Sequence, residues 1–193
     1  MMDERFNRIK SAVQQSIDAK QAFLKGPLEP VLNAADAIAR CLRQGGKLLI
    51  FGNGGSAADA QHLAAEFVNK FMRPRDALAA VALTTDTSVL TSIANDNDFK
   101  EIFARQIRAL GRPGDVALGI TTSGRSLNVL RGLEEARRCG LVTVGLTGGD
   151  GSQLKDLLDH WIWVGCAATP RIQEVHITVG HILCELVEDQ LAD

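Results

Sequence analysis

Two short loops rich in glycine and hydroxyl side chains carry the chemistry most visible in this sequence. The first, Gly52-Asn53-Gly54-Gly55-Ser56, directly follows the apolar run Lys47-Leu48-Leu49-Ile50-Phe51. The second, Thr121-Thr122-Ser123-Gly124-Arg125-Ser126, follows Val116-Ala117-Leu118-Gly119-Ile120. Each stands where an apolar strand hands over to a helix. Small residues let backbone N–H groups approach an anion, and a helix N-terminus adds partial positive charge. Hydroxyls and the cation Arg125 surround the second loop. Such loops suit a phosphate group, and because no Walker lysine follows either of them, a nucleoside triphosphate does not fit.

A second set of reactive residues lies on predicted helices. His62 and Glu66 are four residues apart on the helix that opens at the first loop, so they share a face. A carboxylate on that Ala-rich face, beside a phosphate loop, is costly without a purpose. Towards the C-terminus, His181 lies eight residues after Gln173 and seven after Glu174, about two helical turns in either case. Spacing does not choose between these two as its partner, nor does it bring the two helices together. His160 and His176 read as core histidines.

The elements that must position these residues alternate along the chain. Residues 4–43 read as two helices broken at Gly26-Pro27, the second with an apolar stripe of Val31, Leu32, Ala35, Ile38, Ala39 and Leu42. Strands are expected at 47–51, 79–83, 115–120, 141–146 and 161–164. Helices are expected at 56–70, 99–110, 126–138 and 171–190. Apolar, non-alternating strands separated by helices predict a doubly wound parallel α/β sheet covered on both sides, with an N-terminal helical arm over residues 1–45. Ligands of such sheets sit beyond the strand carboxyl ends, where both loops lie. The first loop also satisfies the G-x-G-x-x-A dinucleotide fingerprint. Its acid is expected about twenty residues on, whereas Asp86 stands roughly thirty away, which favours a sugar phosphate.

Composition narrows the class. The chain has 193 residues, 46% of them hydrophobic, and a net charge of −2, which gives no electrostatic basis for binding nucleic acid or an anionic membrane. The residues 1–6 are charged and lack a signal peptide's apolar core. The four cysteines (Cys41, Cys139, Cys166, Cys184) are scattered without metal-site spacing, as expected of reduced thiols in the cytoplasm. The N-terminal stretch and final helix are more amphipathic than one sheet face can cover, so burial against copies of the chain is expected.

The segment Gly52-Asn53-Gly54-Gly55-Ser56-Ala57-Ala58-Asp59-Ala60-Gln61-His62 resembles the sugar-isomerase (SIS) domain signature of bacterial phosphoheptose isomerases. Leu83-Thr84-Thr85-Asp86, Asn95-Asp96, the second loop, Arg171-Ile172-Gln173-Glu174-Val175-His176 and the closing Gly180–Glu188 stretch continue the likeness in register. It spans nearly the whole of 1–193 as a single SIS domain with a five-stranded sheet. Thr121 stands where serine is usual, and Pro170 where some relatives carry an acid.

The resemblance implies an aldose–ketose isomerase, acting on sedoheptulose 7-phosphate to form D-glycero-D-manno-heptose 7-phosphate for lipopolysaccharide. It also implies a cytoplasmic homotetramer, with sites near subunit interfaces and one zinc ion per subunit. His62, Glu66, Gln173 and His181 would be the zinc ligands, which selects Gln173 over Glu174. Asn53, Gly54, Gly55, Glu66, Asn95, Asp96, Thr121, Thr122, Ser123, Ser126 and Gln173 would contact substrate, with Ser56 beside them in the first loop. Glu66 is the candidate base at the α-carbon and His181 the candidate acid at the carbonyl oxygen. Some SIS tetramers are instead non-catalytic and bind the bacterial replication initiator protein. They lack the complete set that this chain retains.

Overall fold

Leu48 and Ile50 face one side of β1 (Leu48–Gly52), Leu49 and Phe51 the other, and all four are fully buried. A strand apolar on both faces has to lie between two layers, and its neighbours follow suit. In the computed structural model, which describes residues 2–191, β1 joins β2 (Ala80–Ala82), β3 (Val116–Thr121), β4 (Val142–Thr147) and β5 (His160–Trp163). All pairings are parallel, in the order β2-β1-β3-β4-β5.

One face of the sheet is covered by α2 (Glu29–Arg43), α3 (Gly55–Val68) and α8 (Thr169–Leu191). The other is covered by α4 (Thr87–Asp96), α5 (Ile102–Leu110), α6 (Leu127–Arg138) and the short α7 (Ser152–Lys155). Strand order reverses between β1 and β3, which are hydrogen-bonded neighbours with Gly52 opposite Ile120. Both loops therefore leave adjacent strands at the switch point, where open α/β sheets bind ligands.

The expected strands and long helices are all present, with ends shifted by at most three residues. Two helices were not expected. α4 exists because Asp86 caps it, its carboxylate accepting from the Val89 N–H at 2.9 Å. The residue nearest to a dinucleotide acid thus has a local structural task. α7 is a single turn in the β4–β5 connection.

The two N-terminal helices behave differently. α2 buries Val31, Ala35, Ile38, Ala39 and Leu42 as its spacing predicts, but Leu32 is 51% exposed. α1 (Met2–Leu24) lies against α8, where Arg171 donates to the Ala12 carbonyl. Its apolar Phe6, Ile9, Val13 and Ile17 are 56, 61, 55 and 42% exposed. Leu24, Leu28, Leu32 and Ile182 line an apolar groove of about 430 Å³ beside it.

All four cysteines are free thiols; Cys41 and Cys184 are buried. Burial pushes the Cys184 thiol up to about 12. His176 is buried as expected, and burial pushes its ring down to about 4, whereas His160 is only partly buried. Among the described residues, no helix is long and apolar enough to cross a membrane.

Candidate active site

β1 ends at Gly52, and the chain turns through Asn53 and Gly54 directly into α3, whose N-terminus has no side-chain cap. β3 ends at Thr121 and turns through Thr122–Arg125 into α6, where Ser126 occupies the N-cap position without capping. Its hydroxyl lies 3.1 Å from Thr121 Oγ1 instead. At neither helix N-terminus does the N-cap residue cap the helix with its own side chain, and the two termini lie side by side at the sheet edge. Gly124 (φ +67°) is required by more than its dihedral angle: a Cβ there would stand 2.5 Å from Gly151 Cα.

The loops are tied together. Asn53 and Asn128 exchange reciprocal amide hydrogen bonds of 2.8 Å each, and Asn128 also accepts from the Val129 N–H. The Asn53 amide is therefore engaged with the first turn of α6. Ser123 Oγ accepts from the Arg125 N–H, while the Arg125 guanidinium reaches towards Asp150, 4.0 Å away. Ser56 is buried beneath the first loop against Gly52. Gly54 and Gly55 are exposed and Thr122 is partly so. Asn95 and Asp96 bond to each other at the end of α4, and among the described residues neither has a hydrogen bond to the loops.

The helical residues converge. Gly180 on α8 lies where a Cβ would meet Leu63 of α3 at 2.7 Å, so the helices touch there and bring the adjacent His181 and His62 together. His62 Nε2 and His181 Nε2 are 2.9 Å apart, and Glu66 Oε1 lies 3.5 Å from His62 Nε2. Gln173 packs its amide over Gly55, at the mouth of the first loop. Glu174 instead pairs with Arg171 at 2.8 Å, so α8 itself separates the two candidates that spacing left open. The histidine pair is open to solvent, with His62 48% exposed.

Asp59, Asn128 and Phe71 belong to this site although the sequence reading passed over them. Asp59 precedes His62 by three residues and Glu66 by seven, a helical-face signal that was there to be used. Burial shifts its carboxyl pKa upward, although His62 and His181 pull the other way, and among the described residues its Oδ2 has no hydrogen-bond partner. Phe71 stacks obliquely on His181, ring centroids 5.4 Å apart. No local pattern marks Asn128 or Phe71, because both act across a tertiary contact.

Among the described residues, no group of three or more His, Cys, Asp or Glu side chains stands ready-made as a metal cage. The donor types nevertheless suit zinc. Separations of 2.9 and 3.5 Å bracket the edge of about 3.3 Å expected of a tetrahedron with zinc–nitrogen bonds of about 2.0–2.1 Å.

A family model described as the SIS domain matches residues 13–148. The phosphoheptose isomerase of Thermodesulfovibrio yellowstonii is 51% identical over 185 residues, covering 96% of this chain and 92% of that protein. Among solved structures, the phosphoheptose isomerase of Neisseria gonorrhoeae superposes with a TM-score of 0.90 at 44% identity, covering 98% of this chain and 100% of that one. That of Francisella tularensis gives 0.92 at 37%, covering 96% and 98%.

Proposed function

Since the chain belongs to the phosphoheptose isomerases of the SIS-domain family, enzymes that isomerise sugar phosphates, we propose that it converts D-sedoheptulose 7-phosphate to D-glycero-D-manno-heptose 7-phosphate through an enediol. The observation that carries the reading is the meeting of His62, His181 and Glu66 beside two uncapped helix N-termini. A phosphorylated heptose needs both halves: one to hold the phosphate, one to move a proton between neighbouring carbons.

The phosphate end falls to the second loop, with Thr122, Ser123, Ser126 and the first amides of α6 as donors. Thr121 orients the Ser126 hydroxyl. Asn53, Gly54, Gly55 and Gln173 border the sugar at the first loop, where Asn53 offers its backbone because its amide is occupied by Asn128. Glu66 removes the proton from the α-carbon, and His181 delivers a proton to the carbonyl oxygen. Asn95 and Asp96 remain proposed substrate contacts, at the end of α4. His62, Glu66, Gln173 and His181 would hold one zinc ion per subunit, which would supply Lewis-acid polarisation of substrate oxygens.

We read residues 1–193 as one SIS domain acting as a cytoplasmic homotetramer, with residues 1–45 as the arm that joins subunits. The exposed stripe Phe6, Ile9, Val13 and Ile17 and the neighbouring apolar groove support this assembly. The placement of lipopolysaccharide synthesis downstream rests on the same substrate. The non-catalytic alternative, binding to a replication initiator, finds no support in relatives that are named as isomerases. The test is turnover of sedoheptulose 7-phosphate by purified protein with zinc, with chelator, and in Glu66→Gln. Turnover that disappears in the variant is expected; none from folded wild-type protein under any metal condition would overturn the reading.

A further inference from the structure

Beneath the histidine–carboxylate centre lies a buried ion pair that the reaction itself does not use. Arg75 and Glu188 have side chains only 7 and 3% exposed, and Arg75 Nε donates to Glu188 Oε1 at 3.0 Å. Glu188 also accepts the backbone N–H groups of Phe71, Met72 and Arg73 at 3.0, 2.8 and 2.9 Å. Arg75 spends its remaining fork on the last turn of α3, donating to the carbonyls of Glu66 (2.7 Å) and Phe67 (2.8 Å), and to that of Asp76 (2.9 Å). Buried charge is costly, and a pair this completely satisfied persists only where its geometry is fixed from several sides.

Its connections lead to the reacting groups. Glu188 follows His181 by seven residues, so both stand on one face of α8, with the buried Cys184 between them. Arg75 holds the peptide of Glu66. Glu188 holds the peptide of Phe71, whose ring leans on His181. Two of the three converging side chains are thus each one contact away from the pair.

We propose that Arg75 and Glu188 are positioning residues for the Glu66–His62–His181 centre, setting the separation of α3 and α8 that lets base, acid and metal ligands meet. The proposal rests on the isomerase reading given above. A mere structural clamp would need no link to Phe71 or to Glu66. Among the described residues, neither glycine/hydroxyl loop makes a hydrogen bond to the pair.

The experiment compares Arg75→Lys and Glu188→Gln with wild type and with Glu135→Gln, a control remote from the site. Readouts are kcat and KM for sedoheptulose 7-phosphate, zinc affinity by chelator competition, thermal midpoint, and the ring resonances of the four histidines in zinc-free protein. Expected for both variants are a kcat lower by about tenfold or more with KM within about twofold, and zinc held about tenfold less tightly. The His62 and His181 resonances should move and that of His160 stay fixed. Wild-type kcat, zinc affinity and ring shifts beside a lowered midpoint would overturn the proposal, leaving a structural ion pair. Should Arg75→Lys not fold, Phe71→Leu keeps the pair and removes the ring contact; an unmoved His181 resonance and unchanged kcat there also overturn it. If wild-type protein shows no isomerisation, that reading fails separately, and zinc affinity with the ring shifts still decides this one.

Discussion

The two halves of the site are built on opposite principles. The half proposed for the phosphate is local: two strand-to-helix turns that offer amides of α3 and α6 and the hydroxyls of a single loop, tied by the Asn53–Asn128 amide pair. The chemical half is side chains from helices whose reacting residues are 119 positions apart, brought to 2.9 Å by one close approach at Gly180 and Leu63. A loop whose donors come from one short stretch of chain loses them one at a time when its side chains change. A centre assembled across a helix pair depends on every packing contact between them. Substitutions in the first half should therefore act on binding, and those in the second on turnover.

The largest separation should come from Glu66→Gln, which keeps shape and removes the base. Its kcat should drop by about 10²–10⁴ with KM little changed, as steady-state kinetics on sedoheptulose 7-phosphate will show. Next comes Gly180→Ala. The added Cβ meets the side chain of the buried Leu63, so Leu63 or the α3–α8 spacing has to give; where the helices part, a misplacement near 1 Å costs about 10² in kcat, again without a matching rise in KM. Ser126→Ala attacks the other half. Losing a hydrogen bond to a charged group, worth about 1.5–3 kcal/mol, should raise KM about tenfold or more and leave the bound complex turning over normally. A selective loss of kcat there would erase the distinction between the halves.

The smallest effect lies outside both. Hydrogen bonds from Arg108 and Arg138 hold the Glu135 carboxyl down to about 2. A depressed carboxylate contributes stability that is present above its ordinary value of 4.5 and is lost as pH falls towards 2. Glu135→Gln should therefore flatten the decline of the thermal midpoint across that acid window while leaving kcat and KM at neutral pH untouched.

The same contrast governs what the sequence discloses. Both loops, their strands and the helices they open are local patterns, and they stand where the pattern puts them. α4 was hidden because its run Thr87–Asp96 is rich in Thr, Ser and Asn, weak helix formers, and depends on the Asp86 cap. The choice between Gln173 and Glu174 is a matter of which way α8 is turned against α3, and no spacing along one helix contains that angle. Asn128, Phe71, Arg75 and Glu188 were silent for a related reason: each acts through a partner far away in sequence.

The buried Cys184 has a practical consequence. Burial pushes its thiol up to about 12, which disfavours the thiolate at neutral pH, and thiolate is the form that alkylating reagents attack. It lies between His181 and Glu188 in the contact between α3 and α8, so it becomes reactive only when those helices part. The rate at which Cys184 is alkylated in otherwise native protein thus counts openings of the active-site helix pair, a clock built into the chain.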